Sequence, residues 1–268
     1  MPATGWNSRE RPGRGWTTSA RPGVPCLMRR PCVRGISLLL LVLLSGPLAA
    51  AELQLFAWER APLVQQRPDG GAAGLVPEMA DELFRRAGLA YRLSFLPLQR
   101  ALHQVQQQER SCVLLVERQQ EREPLFAWVG PLLVSRLGLY AKADDDLQLG
   151  SLEQARGLRI LSHQGSGAGE YLQTLGLEVI YSNKESLNLS MLQRSRARLW
   201  ATSSAVVASL SASPAPREVL PFLTLMEDIA CHPRMDPSEL RRLQDSLRQM
   251  YREGWVQALH RKHGLELR

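Results

Sequence analysis

After residue 52, apolar positions follow a strand period and a helix period in turn. Residues 53–58 are apolar enough for a buried strand, and residues 91–95 alternate between apolar and polar as a strand does. The apolar residues between these segments recur at helical spacing: Val76, Met79, Ala80, Leu83 and Ala87. Helical spacing returns at 98–105 before an apolar strand at 112–116. This alternation predicts a mostly parallel sheet covered by helices, with a ligand site beyond the carboxyl ends of its strands.

A second set of strands and helices follows residue 142, after a strand-like segment at 132–140. Its strands are predicted at 158–162, 177–181 and 197–201, and its helices at 151–156, 170–175 and 187–194. A connector rich in Ser, Pro and Ala at 211–216 and a strand at 227–231 come next. The segment Asp236-Pro237-Ser238-Glu239 then predicts a helix start, with an N-cap aspartate, proline at N1 and glutamate at N3.

Residues 1–51 have the pattern of a signal peptide. Arg29, Arg30 and Arg34 precede the apolar run 36–44, which is followed by Gly-Pro and by alanines at 49–51. We expect cleavage before residue 52 and hypothesise that Met28 is the true start. The short apolar run is a poor match to a membrane span, which needs about 20 residues.

The net charge and the number of cysteines both change once this leader is removed. The net charge of the whole chain is +7, but residues 1–51 contain seven arginines and one acidic residue, so the remainder is nearly neutral. Near-neutrality argues against a nucleic-acid partner, which requires clustered cations. Cys112 and Cys231 are the cysteines left after the leader, and in an oxidising compartment they are either disulfide-bonded or a pair of free thiols.

Several short motifs carry a resemblance to a known family. They are GLVPEM (74–79), PLQRAL (97–102), EREPLFAWVGP (121–131), GLRI (157–160), QGS (164–166), and parts of 191–200 and 229–231. In their order and spacing, residues 53–265 resemble the family 3 extracellular solute-binding proteins, periplasmic receptors for polar amino acids in ABC transport systems.

The resemblance implies an α/β periplasmic-binding-protein fold of type II, with two doubly wound lobes joined by two crossovers. Lobe 1 would comprise 52–141 plus 225–268, and lobe 2 would comprise 142–224. Both Cys112 and Cys231 would then lie in lobe 1 on strands that could be neighbours, which favours the disulfide.

The resemblance also implies a ligand site. Arg122 matches the family arginine that clamps a ligand carboxylate, a role that suits the paired donors of a guanidinium. Ser166 and Gly167 precede a helix whose backbone N–H groups would bind an anion. Trp58 is expected to stack on the ligand or to be core, with Glu59 beside it as an acceptor for a ligand cation. Ser203 is expected to line the cleft.

The sequence departs from the family at positions that decide the ligand. Amino-acid receptors hold the α-ammonium with a lobe 2 carboxylate where this chain has Thr202-Ser203-Ser204. Arg198 stands where an acidic residue is common, and Leu114 and Leu115 replace small hydroxyl donors. A carboxylate-bearing ligand, an amino acid or a related molecule without the amine, is therefore expected.

The other candidate residues have less distinctive contexts. Arg100 and Arg118 are expected in solvent or in salt bridges, Trp128 and Trp200 in the core, and His260 and His263 at a basic helix end. A cleft enzyme of dehydratase type is one alternative, with the candidate acids and bases Glu59, Glu170 and His163, and a ligand sensor for a membrane partner is another. We expect a periplasmic monomer without metal, cofactor or enzymatic activity, whose partner is an inner-membrane ABC permease or a sensor.

Overall fold

The structure, a computed structural model, describes residues 52–210 and 214–265. The predicted leader, its cleavage point and Met28 lie outside the described residues. The strands are β1 Leu53–Ala57, β2 Gln65–Gln66, β3 Ala72–Ala73, β4 Tyr91–Phe95, β5 Ser111–Glu117, β6 Ala127–Ala141, β7 Ile160–His163, β8 Val179–Ser182, β9 Leu199–Ser203 and β10 Arg217–Cys231. The helices are α1 Leu75–Ala87, α2 Leu98–Gln107, α3 Gly167–Thr174, α4 Glu185–Gln193, α5 Ser204–Ala208, α6 Pro237–Arg252 and α7 Trp255–Lys262. Two short 3-10 helices span Gln120–Leu125 and Leu152–Ala155.

Eight strands form one sheet in the order β4-β1-β5-β10-β6-β9-β7-β8, and β2 pairs with β3 in a small ribbon. The pairs on either side of the sheet are parallel, as predicted. The two long central strands are antiparallel to each other, and β10 is antiparallel to β5 and β6 to β9. We call β4, β1 and β5 with α1, α2, α6 and α7 the first half, and β9, β7 and β8 with α3, α4 and α5 the second half.

Apolar side chains form a core on each face of each half. In the first half, Leu55 and Met79 belong to a cluster that α1, α6 and α7 cover, whereas Phe56 and Val113 pack on the opposite face against α2. In the second half, Ile160 lies in one cluster and Trp200 in another. Successive strand residues point to opposite faces, so helices on both faces are needed to bury them.

Local signals in the sequence fix several helix ends. Asp236 caps α6 by accepting a hydrogen bond from the backbone of Ser238 at 2.7 Å, with Pro237 as the first helical residue. Gly88 ends α1 in the left-handed conformation, at φ 64°. The strand predicted at 227–231 is the end of β10, which begins ten residues earlier.

A disulfide joins Cys112 of β5 to Cys231 of β10, which lie opposite each other in the sheet. Disulfides persist in oxidising compartments, so this bond favours a location outside the cytoplasm. Within 52–210 and 214–265, no helix combines the length and the apolar character that crossing a membrane requires.

Candidate functional site

A small cavity lies where the two halves meet. Its walls come from the segment that follows β1, from the end of β5, from β6, from the end of β9, and from the starts of α3 and α4. The lining residues include Trp58, Arg60, Glu117, Ser166, Glu185, Thr202 and Ser203. The free space is about 10 Å³, which is room for about one water molecule. Open α/β sheets bind their ligands at this kind of place, beyond the carboxyl ends of parallel strands.

A larger cleft of about 570 Å³ lies between β6, α5 and the end of α7. Its lining includes apolar residues such as Leu133 and Val134 along with the charged residues Arg136 and Glu218. We place the functional site at the smaller cavity because Arg60 and Glu117 are buried there and the second half adds the partly buried Glu185. Charged groups perturbed by burial in a cleft mark functional sites.

Arg60 is buried at the centre of the smaller cavity and is bonded on two sides. Its Nη1 donates to Glu227 Oε2 at 2.5 Å, and its Nη2 donates to Ser203 Oγ at 3.2 Å. The guanidinium carbon lies 5.4 Å from the centre of the Trp58 ring, within cation–π range. Arg60 therefore links the first half to the central strand β10 and to the second half.

Three carboxylates surround this guanidinium. Glu117 ends β5, Glu227 lies opposite it on β10, and Glu185 begins α4. Burial acts to lower the pKa of Arg60, but the attraction of Glu227, Glu117 and Glu185 outweighs it, so the pKa of Arg60 is raised. Burial has the opposite effect on the acids: it raises the pKa of Glu117 and of Glu185, although the charge of Arg60 acts to lower both.

A β-bulge precedes Glu117. Leu115 has left-handed backbone, with φ 60°, and the register between β5 and β10 shifts between Asp228 and Ala230. Bulges bend a strand and re-aim its side chains, and they are common beside functional sites. Beyond this bulge, Glu117 accepts a hydrogen bond from the backbone N–H of Gly167 in the second half.

Glu185 is anchored within the second half. Its Oε2 accepts hydrogen bonds from Trp200 Nε1 at 3.2 Å and from Asn188 Nδ2 at 3.3 Å. Its Oε1 lies 3.5 Å from the hydroxyl of Thr202. The indole of Trp200 is fully buried, as expected for a core residue, but its N–H also orients a carboxylate of the cavity.

Arg122 is buried in the 3-10 helix that follows β5, and its donors are used within the chain. Its Nη2 donates to Glu170 Oε2 at 2.6 Å and to the carbonyl oxygen of Gly165 at 2.8 Å, both in the second half. Its Nη1 lies 3.3 Å from the carbonyl oxygen of Glu117. The predicted carboxylate clamp therefore bridges the two halves beside the cavity.

Ser166 is the N-cap of α3 and Gly167 its first residue, so the helix begins three residues before the predicted start at 170. The hydroxyl of Ser166 accepts from the backbone N–H of Gly169 at 3.1 Å and bonds to Ser162 Oγ at 2.8 Å. The hydroxyl of Ser166 caps the helix, and the backbone N–H of Gly167 donates a hydrogen bond to the Glu117 carboxylate. The predicted anion position thus holds an anion of the chain itself.

Trp58 is buried, and its indole N–H lies 3.2 Å from the carbonyl oxygens of Leu114 and Leu115. Its ring centre is 4.8 Å from that of His163. Burial, followed by the charge of Arg60, lowers the pKa of His163 to about 4, so this ring is neutral near pH 7. Glu59 is exposed, and its Oε2 lies 3.7 Å from Lys184 Nζ across the cleft.

Arg118 forms salt bridges with Glu123 at 2.5 Å and with Asp228 at 3.2 Å, and it lies over the ring of Trp128. Trp128 itself is partly buried against the core. Arg100 is exposed on α2. Each of these residues therefore lies in one of the settings that the sequence predicted.

Arg198 pairs with Asp145 at 2.9 Å on the surface. His263 lies 3.1 Å from Glu78 Oε1, while His260 is buried without a hydrogen-bond partner for either ring nitrogen. Among the described residues, no group of three or more His, Cys, Asp or Glu side chains is arranged to hold a metal.

The sequence patterns did not point to Arg60, Glu117, Glu185 or Glu227 as site residues. Glu227 gave the clearest signal, because it is a charged residue within a predicted strand that ends in the apolar run Ile229-Ala230-Cys231. Arg60 and Glu185 gave little signal, because a charged residue after a strand or at a helix start is usually solvated.

No family model matches the chain, and no curated protein matches it in sequence. Solved structures do match. A mutant of ArgBP from T. maritima has a TM-score of 0.71 at 18% identity, covering 79% of this chain and 94% of that one. A histidine kinase sensor domain with similarity to periplasmic binding proteins has a TM-score of 0.71 at 14% identity, covering 79% and 95%.

An ancestral arginine-binding protein, solved with arginine, has a TM-score of 0.70 at 17% identity, covering 79% of this chain and 97% of that one. The ancestral amino acid-binding protein AncCDT-1, a precursor of cyclohexadienyl dehydratase, has a TM-score of 0.69 at 16% identity, covering 79% and 94%. At these identities the likeness shows the fold. The chain has the mixed α/β fold of the periplasmic binding proteins and matches those of type II.

Proposed function

We propose that this chain is an exported solute-binding protein that holds a small polar molecule between its two halves. In this proposal it works in the periplasm as a monomer, after removal of the leader, and delivers its ligand to an inner-membrane ABC permease. The two halves correspond to lobes 52–141 plus 225–268 and 142–224, and they separate to admit the ligand.

The observation that carries the proposal is the buried charge where the halves meet. Arg60, Glu117 and Glu227 come from the first half and the central strand, and Glu185 comes from the second half. Burying charged groups is costly, and a protein core gains little from them compared with apolar side chains. A charged cluster supplied by both halves is what the capture of a polar solute requires.

The ligand that suits this cluster carries a carboxylate and a cationic group, as an amino acid does. Arg122 and the N–H groups at the start of α3, near Ser166 and Gly167, suit the carboxylate. Glu227 and Glu185 suit the cation, with Trp58 as a stacking surface, Ser203 as a neutral partner and Glu59 at the rim. Support comes from fold relatives, one solved with arginine and one with glutamine.

A second role, as the receptor for a membrane sensor, is favoured by the match to a histidine kinase sensor domain. The two roles use the same cavity and differ in the partner that reads its occupancy. An enzymatic role would need a base in the cleft, and the neutral His163 is the best-placed group for it; turnover of a bound ligand would reveal that activity.

A thermal-shift screen of amino acids, organic acids and amines against mature protein tests the proposal. A ligand at about 100 times its dissociation constant adds about 2.7 kcal/mol of stability, which is readily measured. Arg122→Ala should weaken binding of a carboxylate ligand at least about tenfold, since a charge-assisted bidentate contact is lost. Arg85→Ala, which removes an exposed arginine of α1, is the matched control. Unchanged affinity in Arg122→Ala would show that the carboxylate is held elsewhere.

A further inference from the structure

Each charged position of the cavity already has a partner from elsewhere in the chain. The guanidinium of Arg60 meets Glu227 and Ser203, and the carboxylate of Glu117 meets the N–H of Gly167. We infer that Arg60 and Glu117 are a built-in substitute for the ligand. These two side chains hold the two halves closed until a molecule with its own guanidinium or ammonium group displaces Arg60. This inference rests on the proposed function and names the chemistry of its ligand.

The cation position is built from buried groups around two of the three guanidinium nitrogens of Arg60, and its Nε is buried without a partner. Its guanidinium has a carboxylate at 2.5 Å, a hydroxyl at 3.2 Å and an indole face at 5.4 Å, all from buried residues. Guanidinium ligands are bound by this combination of an in-plane carboxylate and an aromatic face. The backbone of Arg60 pairs with Val64 outside the eight-stranded sheet, so its side chain can leave this position without a change in that sheet.

The charges of the cluster favour a cation over an anion. Glu117 and Glu227 lie opposite each other on adjacent strands, and like charges in that arrangement repel. Glu185 adds a third carboxylate from the second half. If Arg60 left without a replacement, these acids would lack a counter-charge, so Arg60 exchanges most readily with another cation.

The anion position is satisfied in the same way. The carboxylate of Glu117, in the first half, accepts a hydrogen bond from the backbone at the start of α3. The guanidinium of Arg122 forms a salt bridge with Glu170 of the second half. The cavity that remains has room for about one water molecule. A closed state without any added ligand is therefore stabilised by the same kinds of contact that a bound zwitterion would make.

Methylguanidinium tests the inference, because it reproduces the head of Arg60 without the rest of the side chain. In Arg60→Ala, methylguanidinium chloride at about 10 mM should raise the melting temperature measurably, and sodium chloride at equal ionic strength should not. Wild type and the surface variant Arg85→Ala should show no such rise, since Arg60 already fills the position. L-Arginine should bind Arg60→Ala at least about tenfold more tightly than wild type.

Arg60→Ala leaves three acids uncompensated and could fail to fold, so Arg60→Ala/Glu227→Gln provides a second background with one carboxylate fewer. Methylguanidinium should stabilise it too, though less, because the closest acceptor has become an amide. The absence of a methylguanidinium effect in every folded variant, or an equal effect in wild type, overturns the inference.

The result separates the inference from the proposed function. If wild type binds an amino acid and Arg60→Ala binds it no more tightly, the solute-binding function stands and the built-in substitute is wrong. If methylguanidinium stabilises Arg60→Ala but no solute binds that variant or wild type, Arg60 only fills a guanidinium site, and the proposed function fails together with the role of Arg60 as a ligand substitute.

Discussion

Two ion pairs lie where the two halves meet. We call Arg60–Glu227 the centre, since Arg60 also contacts Ser203 of the second half, and Arg122–Glu170 the rim. The two pairs differ in their exposure to water. At the centre, the side chain of Arg60 is 3% exposed and that of its partner Glu227 is 0% exposed. At the rim, Arg122 pairs with Glu170, which is 36% exposed. Bulk water can screen and replace the rim contact, whereas the central pair is shielded from bulk water.

This difference separates stability from opening. A buried ion pair whose partner is removed leaves an unsolvated charge, so the central pair resists change. A partly exposed pair gains little from its Coulomb attraction and loses little when it breaks. We therefore expect the rim pair to control how easily the two halves open. We expect the central pair to control the stability of the closed arrangement.

Glu227→Gln is expected to have the largest effect on stability. It removes the carboxylate that Arg60 Nη1 contacts and that accepts a hydrogen bond from Ser135 Oγ. Breaking one side of a buried pair costs about 3 to 5 kcal/mol, and Glu117 and Glu185 still face Arg60, so we expect about 3 kcal/mol. Urea unfolding measures this loss. A loss below about 1 kcal/mol would mean that the centre behaves like a surface pair.

The pH dependence of the centre is expected to be the next largest effect. An unfolded histidine titrates near pH 6.5, and burial, followed by Arg60, lowers the pKa of His163 to about 4. Between these values the unfolded chain binds the extra proton, so the stability due to His163 is lost as the pH falls from about 6.5 to about 4, by at most about 3 kcal/mol.

His163→Phe retains a ring beside Trp58 and removes the titration, so its urea stability should fall less than that of wild type over the same pH range. The raised pKa values of Glu117 and Glu185 act in the opposite direction in both proteins, because folded acids then bind more protons than unfolded ones. His103→Gln, which replaces an exposed histidine on α2, is the matched control. Parallel curves for wild type and His163→Phe would contradict this reading of His163.

Much of the fold follows from local sequence, and little of the centre does. The period of apolar residues in α1 and the cap at Asp236 are set by near neighbours, so the sequence predicts them. The first ten residues of β10 were not predicted as a strand. Pro221 interrupts this segment, and most of its residues are only partly buried, so it lacks a strong strand signal.

The centre could not be predicted because its charges come together only through long-range pairing. Arg60, Glu117, Glu185 and Glu227 lie on four separate segments. All but Glu227 look like solvated charges, and the strand position of Glu227 does not reveal its partners. Arg122, Ser166 and Gly167 could be named because short motifs surround them. Those motifs indicated the place of each residue in the fold, but they could not show that Glu170 and Glu117 would be their partners in this structure.

Glu170→Gln is expected to have the smallest effect on stability and a clear effect on opening. It weakens the contact from Arg122 Nη2, which keeps its bond to the carbonyl oxygen of Gly165 at 2.8 Å. Because Glu170 is 36% exposed, the loss should be at most about 1 kcal/mol and smaller still at high salt. X-ray scattering of ligand-free protein should nevertheless show a larger radius of gyration for Glu170→Gln than for wild type. Glu153→Gln, which breaks an exposed pair with Arg156 away from the cavity, should leave that radius unchanged. A compact Glu170→Gln that is destabilised as strongly as Glu227→Gln would abolish the distinction between rim and centre, because the two pairs would then make the same contribution.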